Sequence, residues 1–429
     1  MDFKTLPKGR FTLLNTTVPA CLLGRNGDLI CVDIGIDDGK IAAVTDTVDG
    51  ASHQEAVDMQ GAMILPAFVD GHTHLDKGHI WPRASNPDGS FWGAKDTVMA
   101  DHANWTADDV FARADFSLRC AYAHGTRAVR THLDCPPDQD EISWPVLSAL
   151  REKWAGKIAL QGASLSTSIV ADIDGRFLRT ADLVQEHKGV LGMVTLPMDG
   201  LDLFLRKFFT IAGERGLDVD FHVDETMDHS VETLRDICDA KKATGYTGRV
   251  LVGHLCSLST QDEARALDTL DKVADADLDV VSLPMCNMYL QDRHAGRTPR
   301  NRGVTLVHEM KARGISVSFA SDNTRDPFYA YGDLDMIEVL REATRIAHLD
   351  HSGPDWIKSF SATPAQACGF DVAGLTVGAP ADLVVCRARS WTEFMARPQS
   401  DRIVLRDGVQ IERTLPDYSE LDHLFKATT

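Results

Sequence analysis

Short apolar runs punctuate the chain, and between them apolar positions recur every three or four residues. The runs fall at 63–69, 126–131, 157–161, 191–196, 217–221, 249–252, 278–283 and 315–320. Each is short, and most are rich in β-branched residues, which predicts buried strands. The stretches 107–123, 201–215, 231–242, 262–274 and 334–347 carry helical spacing instead. Eight strands alternating with helices predict a distorted (β/α)8 barrel, the TIM-barrel architecture of the α/β class. A doubly wound sheet is the rival, but no G-x-G-x-x-G follows any of the runs.

The two ends of the chain read differently. Apolar runs at 11–14, 30–34 and 40–44 surround an Asp38-Gly39 turn, and runs at 381–385, 402–405 and 409–411 surround Asp407-Gly408. Asp-Gly between short apolar runs is a hairpin signal. Neither end is large enough to hold a core alone, so the two are expected to combine into one small β-sandwich. The expected organisation is 1–61 as the N-terminal part of the sandwich, 62–375 as the barrel and 376–429 as the C-terminal part.

A barrel places its working residues at the C-terminal ends of its strands. There the sequence offers His72 and His74 after the first run, His222 and Glu225 after the fifth, His254 after the sixth, and Asp322 with Asn323 after the eighth. The two-residue spacing of His72 and His74 sends both imidazoles to one side of a strand. Three imidazoles and a carboxylate suit a borderline divalent ion such as zinc or iron(II), whereas calcium or magnesium would want oxygen ligands. Such an ion makes hydroxide available near neutral pH. Glu225 stands close enough to His222 to move a proton without being a ligand, His254 to hold the hydroxide, and Asp322 to ligate and to accept a proton. His132 and Asp134 end the second run and are expected to support the site, while His79, His102, His124 and His308 lack convergent partners.

Charge and cysteine content narrow the partners. A formal charge of −19 over 429 residues argues against nucleic acid and against an anionic membrane surface, and leaves a small-molecule substrate. Nine cysteines without a C-x-x-C pair read as reduced thiols. No stretch reaches transmembrane length, and residues 1–17 carry no apolar leader, so a cytoplasmic location is expected. The aromatic loop 79–92 reads equally as a lid or as a contact in a homo-oligomer.

The ordered set His72-Thr73-His74, His222-Val223-Asp224-Glu225, Gly253-His254 and Ser321-Asp322-Asn323 resembles the amidohydrolase superfamily, in its cytosine deaminase-like branch. Gly374-Leu375-Thr376-Val377-Gly378-Ala379-Pro380 resembles that superfamily's return from barrel to sandwich, so the likeness spans nearly the whole chain. It implies one Zn2+ or Fe2+ on His72, His74, His222 and Asp322, with Glu225 as proton shuttle and His254 beside the nucleophile. Binuclear relatives place a bridging lysine after the fourth strand, where this chain has Leu196-Pro197-Met198. For substrate contacts the same likeness points to Thr167, Asn323 and Phe328, at positions where cytosine deaminases carry glutamine, an acidic residue and tryptophan. These departures point away from cytosine itself. Lys77, in His-Thr-His-x-Asp-Lys, is similar to the lysine of the N-isopropylammelide isopropylaminohydrolases of the same branch. The expected reaction is hydroxide attack on an amidine-like ring carbon with loss of ammonia or an alkylamine, an EC 3.5.4-type hydrolysis. Rival readings are cleavage of a cyclic or linear amide, and a non-catalytic scaffold, against which the intact set of six polar residues argues.

Overall fold

The computed structural model describes residues 3–47 and 55–425. Eight parallel strands form the centre: β1 (Phe68–Thr73), β2 (Thr126–Asp134), β3 (Ala159–Leu165), β4 (Leu191–Thr195), β5 (Val219–Val223), β6 (Val250–His254), β7 (Asp279–Ser282) and β8 (Val317–Phe319). β1 to β3 make one ladder and β4 to β8 another. Bridges from Thr73 to Asp322 and from Ala163 to Val190 join them into the distorted barrel that the alternation predicts. All residues of β5 and β6 are buried, as strands covered on both faces must be. His222 and His254 are therefore polar groups set into apolar strands.

One expectation needs correction. The run 63–69 is two strands, not one. Met63–Pro66 pairs antiparallel with Leu383–Cys386 in the terminal sheet, and the barrel strand begins only at Phe68. Pro66 has no N–H to continue a ladder, and the Ala67 N–H turns to the Asp382 carbonyl, so the chain changes sheets there. His72 consequently lies inside β1, and His74 one residue beyond it.

The chain ends build one eight-stranded sheet, as the sandwich expectation requires. Its alternation serves two cores. Ile64, Leu383, Val385, Ile403 and Leu405 face an apolar cluster with Phe11, Leu13, Val32 and Ile34. Met63, Leu65, Val384, Cys386 and Val404 face the barrel's core. The helix Ala107–His124 ends against this sheet at Gly125, whose φ of 103° needs glycine and where a Cβ would come within 2.5 Å of Val384 Cγ2.

A buried ion pair ties the layers together. Arg402 donates from Nη1 and Nη2 to the two carboxylate oxygens of Asp335, 2.6 Å each, and Asp335 caps the barrel helix Met336–Ala347. Burial alone would raise the Asp335 carboxyl, but the charges of Arg402 and His124 bring it down to about 2. A depressed carboxyl stabilises the fold above its unfolded value near ~4, and that contribution fades as pH falls towards about 2. Arg402→Leu strands this carboxylate and is expected to lower stability by about 3–5 kcal/mol at neutral pH, read from urea denaturation.

Candidate active site

Four strand ends converge at the barrel mouth. His222 Nε2 lies 3.3 Å from His74 Nε2, and Asp322 Oδ1 lies 3.3 Å from His74 Nε2 and 3.6 Å from His72 Nε2. All four side chains are buried. Both ring nitrogens of His72, Nδ1 of His74 and of His222, and both Asp322 oxygens have no hydrogen-bond partner among the described residues. Burial, reinforced by neighbouring imidazoles, holds His72 and His222 well below the ordinary imidazole value; burial and the Lys77 charge do the same for His74. Each neutral ring keeps one lone pair, and buried lone pairs and carboxylate oxygens left without a partner are the groups that a cation among them would satisfy. Burial pushes the Asp322 carboxyl up to about 8, another sign that the cluster lacks positive charge of its own. This donor set fits one divalent transition metal ion.

The backbone bends sharply to make this convergence. Asp224, His254 and Asp322 adopt φ of 50°, 74° and 64°. Left-handed backbone is uncommon outside glycine, and Asp and His are among the types that enter it most readily. Asp224 secures the turn after β5: its Oδ1 accepts the Thr233 N–H and hydroxyl, and its Oδ2 accepts the Leu234 N–H. Glu225 thereby faces the chamber. Burial, then the nearby Asp322 charge, pushes its carboxyl well above the ordinary range, which suits a group that must hold a proton. Burial and His132 hold His254 down at about 3, so its ring is neutral.

The chamber walls agree in part with the expected contacts. Lys77, Asn323 and Phe328 line it together with His74, His222, Glu225, His254 and Asp322. Lys77 is buried, donates to Asp134 Oδ1 at 2.6 Å and sits 5.4 Å from the Phe328 ring centre, so it is not a solvated loop lysine. The Asn323 amide donates to Asp326 Oδ2 at 2.8 Å. Thr167 is bridged to Val194 with its hydroxyl buried and without a partner among the described residues, and Leu165 lines the chamber in its place. Phe91 lies within the aromatic segment that the sequence singles out around 79–92, whereas Leu165 and Val194 were missed, because apolar walls carry no signal apart from core residues.

Two polar residues also escaped full notice. The His132 ring packs 4.1 Å from that of His72 and 4.6 Å from that of His222, with its Nε2 3.0 Å from Asp220 Oδ1. Asn287, on the helix Pro284–Leu290 after β7, reaches both Glu225 and His254. Around the mouth, the 79–92 loop is pinned rather than free at its base. The His79 and Trp81 N–H groups donate to the carbonyls of Thr324 and Arg325, and Arg83 pairs with Asp101 and Asp109. Only Phe91, at the start of the helix Phe91–Asp101, reaches the inner chamber. An outer vestibule of about 450 Å³ continues from it past Trp92, Met227 and Arg293.

A parallel barrel with a buried histidine–aspartate cluster at its mouth and the Glu225 carboxyl beside it offers a donor set that could hold a metal ion. The chain belongs to the amidohydrolase family, whose model, described as "Amidohydrolase family", matches residues 178–412. It is a hydrolase of carbon–nitrogen bonds other than peptide bonds. It is 51% identical over 425 residues to a pterin deaminase of Rhizobium rhizogenes, covering 97% of each chain. It is 24% identical over 398 residues to an N-isopropylammelide isopropyl amidohydrolase of a Pseudomonas species, covering 88% of this chain and 94% of that one. Among solved structures, 5-methylcytosine deaminase from Klebsiella pneumoniae superposes with a TM-score of 0.79 at 23% identity, covering 95% of this chain and 98% of that one, a likeness of fold. No helix among the described residues is long and apolar enough to cross a membrane.

Proposed function

We propose that this chain hydrolytically deaminates a pterin-type ring, exchanging an exocyclic amino group for oxygen. The observation that carries the proposal is 51% identity across 97% of both chains to a pterin deaminase. A pterin is a bicycle with a guanidine-like carbon near a ring carbonyl. The chamber against the histidine cluster is small, about 50 Å³. The adjoining vestibule of about 450 Å³, which shares Phe91, Val194, His222 and Glu225 with it, supplies the room that a bicycle needs.

His72, His74, His222 and Asp322 would hold a Zn2+ or Fe2+ ion, whose Lewis acidity makes water a competent nucleophile near neutral pH. Glu225 takes a proton from the attacking water and delivers it to the departing nitrogen, so that water and the aminated ring become ammonia and the oxo ring. His254 steadies the oxygen being added. Lys77, held by Asp134, faces the ring carbonyl as a fixed positive charge. Phe91 and Phe328, with ring centres 5.6 Å apart, pack the heterocycle, while Asp220 and His132 buttress the histidine cluster from below.

The test is amine release from pterin beside cytosine, triazines and creatinine-like rings, using protein of quantified metal content. Ammonia from pterin, with one nitrogen replaced by one oxygen in the product, is expected. Silence with pterin and release of ammonia or an alkylamine from another ring would replace the substrate assignment.

A further inference from the structure

We infer that Asn287 is a positioning residue that fixes both the tautomer of His254 and the working oxygen of Glu225 through a single amide group. This rests on the deaminase reading for its consequence in turnover, though the placement itself stands on geometry. Asn287 is 1% exposed, and its Nδ2 lies 3.2 Å from Glu225 Oε1 and 3.0 Å from His254 Nδ1. An amide nitrogen carries two hydrogens and no lone pair to offer, so one hydrogen serves each neighbour. The reverse orientation would set the amide oxygen 3.2 Å from Glu225 Oε1, acceptor against acceptor in the ionised carboxylate that takes the proton from water.

Two consequences follow for the chemistry. If His254 Nδ1 accepts, its ring proton sits on Nε2, and Nε2 is buried with no partner among the described residues. His254 is then locked as a hydrogen-bond donor at the atom left free for the reaction. Glu225 Oε1 is likewise occupied, which leaves Oε2 to carry the travelling proton. Asn287 is itself held in register: the next turn of chain brings Gln291, whose Nε2 donates to the Glu225 carbonyl at 3.3 Å. Gly303 packs against both residues, and a Cβ there would come within 2.6 Å of Gln291 Cγ and 3.5 Å of Asn287 Cβ.

The test combines an isosteric variant with a spectroscopic readout. Asn287→Asp keeps the shape but offers only acceptors, and is expected to lower kcat for pterin deamination about 10²-fold with metal content and melting temperature near wild type. Independently of turnover, 15N-histidine NMR of the wild-type protein, with His254 signals assigned by their loss in His254→Gln, should show Nδ1 unprotonated and Nε2 protonated. In Asn287→Asp the proton should move to Nδ1, a change that loss of mere packing would not produce. A protonated Nδ1 in the wild type, or an Asn287→Asp enzyme with wild-type kcat, overturns the inference. Correct NMR without ammonia release would uphold the placement of Asn287 and reject the substrate reading, while turnover with a protonated Nδ1 would do the reverse.

Discussion

Glu225→Gln is expected to lower kcat for ring deamination by about 10³-fold, with little change in KM. The substitution keeps the size and one acceptor oxygen, so the Asn287 contact at 3.2 Å survives in form. What disappears is the capacity to take up and release a proton. Burial and the Asp322 charge raise the Glu225 carboxyl above its ordinary range, which brings its affinity for protons closer to that of the groups it must serve. No second carboxylate takes over: Asp224 is tied to Thr233 and Leu234, and Asp322 sits within the histidine cluster. Steady-state kinetics with metal analysis of the variant decides the matter. A Gln variant that retains its metal and wild-type kcat would remove Glu225 from the proton path.

Stripping the metal with a chelator is expected to abolish turnover and to lower the melting temperature, both restored by about one equivalent of Zn2+ or Fe2+. An ion bound at a free concentration 1,000 times its dissociation constant adds about 4 kcal/mol to stability. Its removal leaves three buried imidazoles and a carboxylate with unsatisfied nitrogens and oxygens. One equivalent is expected because the end of β4 runs Leu196-Pro197-Met198, with no lysine to bridge a second ion. Calorimetry and elemental analysis read the stoichiometry directly. Full activity in protein shown to be free of metal would overturn the assignment of the cluster.

The sequence was most legible where geometry repeats. Period-two spacing placed His72 and His74 on one side of a strand, and the alternation of apolar runs with helical stretches placed His222, His254 and Asp322 at matching strand ends. It was least legible where a single residue changes the path. Apolar composition runs through Met63 to Val69 without interruption, so the crossing between sheets at Pro66 and Ala67 is marked in the sequence by the proline and not by any change in hydrophobic pattern. Asn287 sits in Pro284-Met285-Cys286-Asn287, a short helix without charge or histidine, and only three-dimensional proximity reveals its two partners. Thr167 illustrates the opposite error. A position assigned by likeness to relatives lies beside the chamber, but the side chain that enters it belongs to Leu165.

The two-faced strands of the terminal sheet bear on how the molecule comes apart. Along Met63, Ile64 and Leu65, successive side chains enter different apolar clusters, and Leu383 to Cys386 alternate in the same way. Pulling such a strand away opens both clusters at once, so there is no seam along which the barrel could melt while the sheet endured. Because the sheet draws strands from both parts of the chain, it cannot be completed until residues 409–410 have been synthesised. During synthesis the barrel core that Val384 and Val404 cover therefore stays open until these strands emerge, and a nascent chain stalled short of them leaves apolar surface exposed to aggregation.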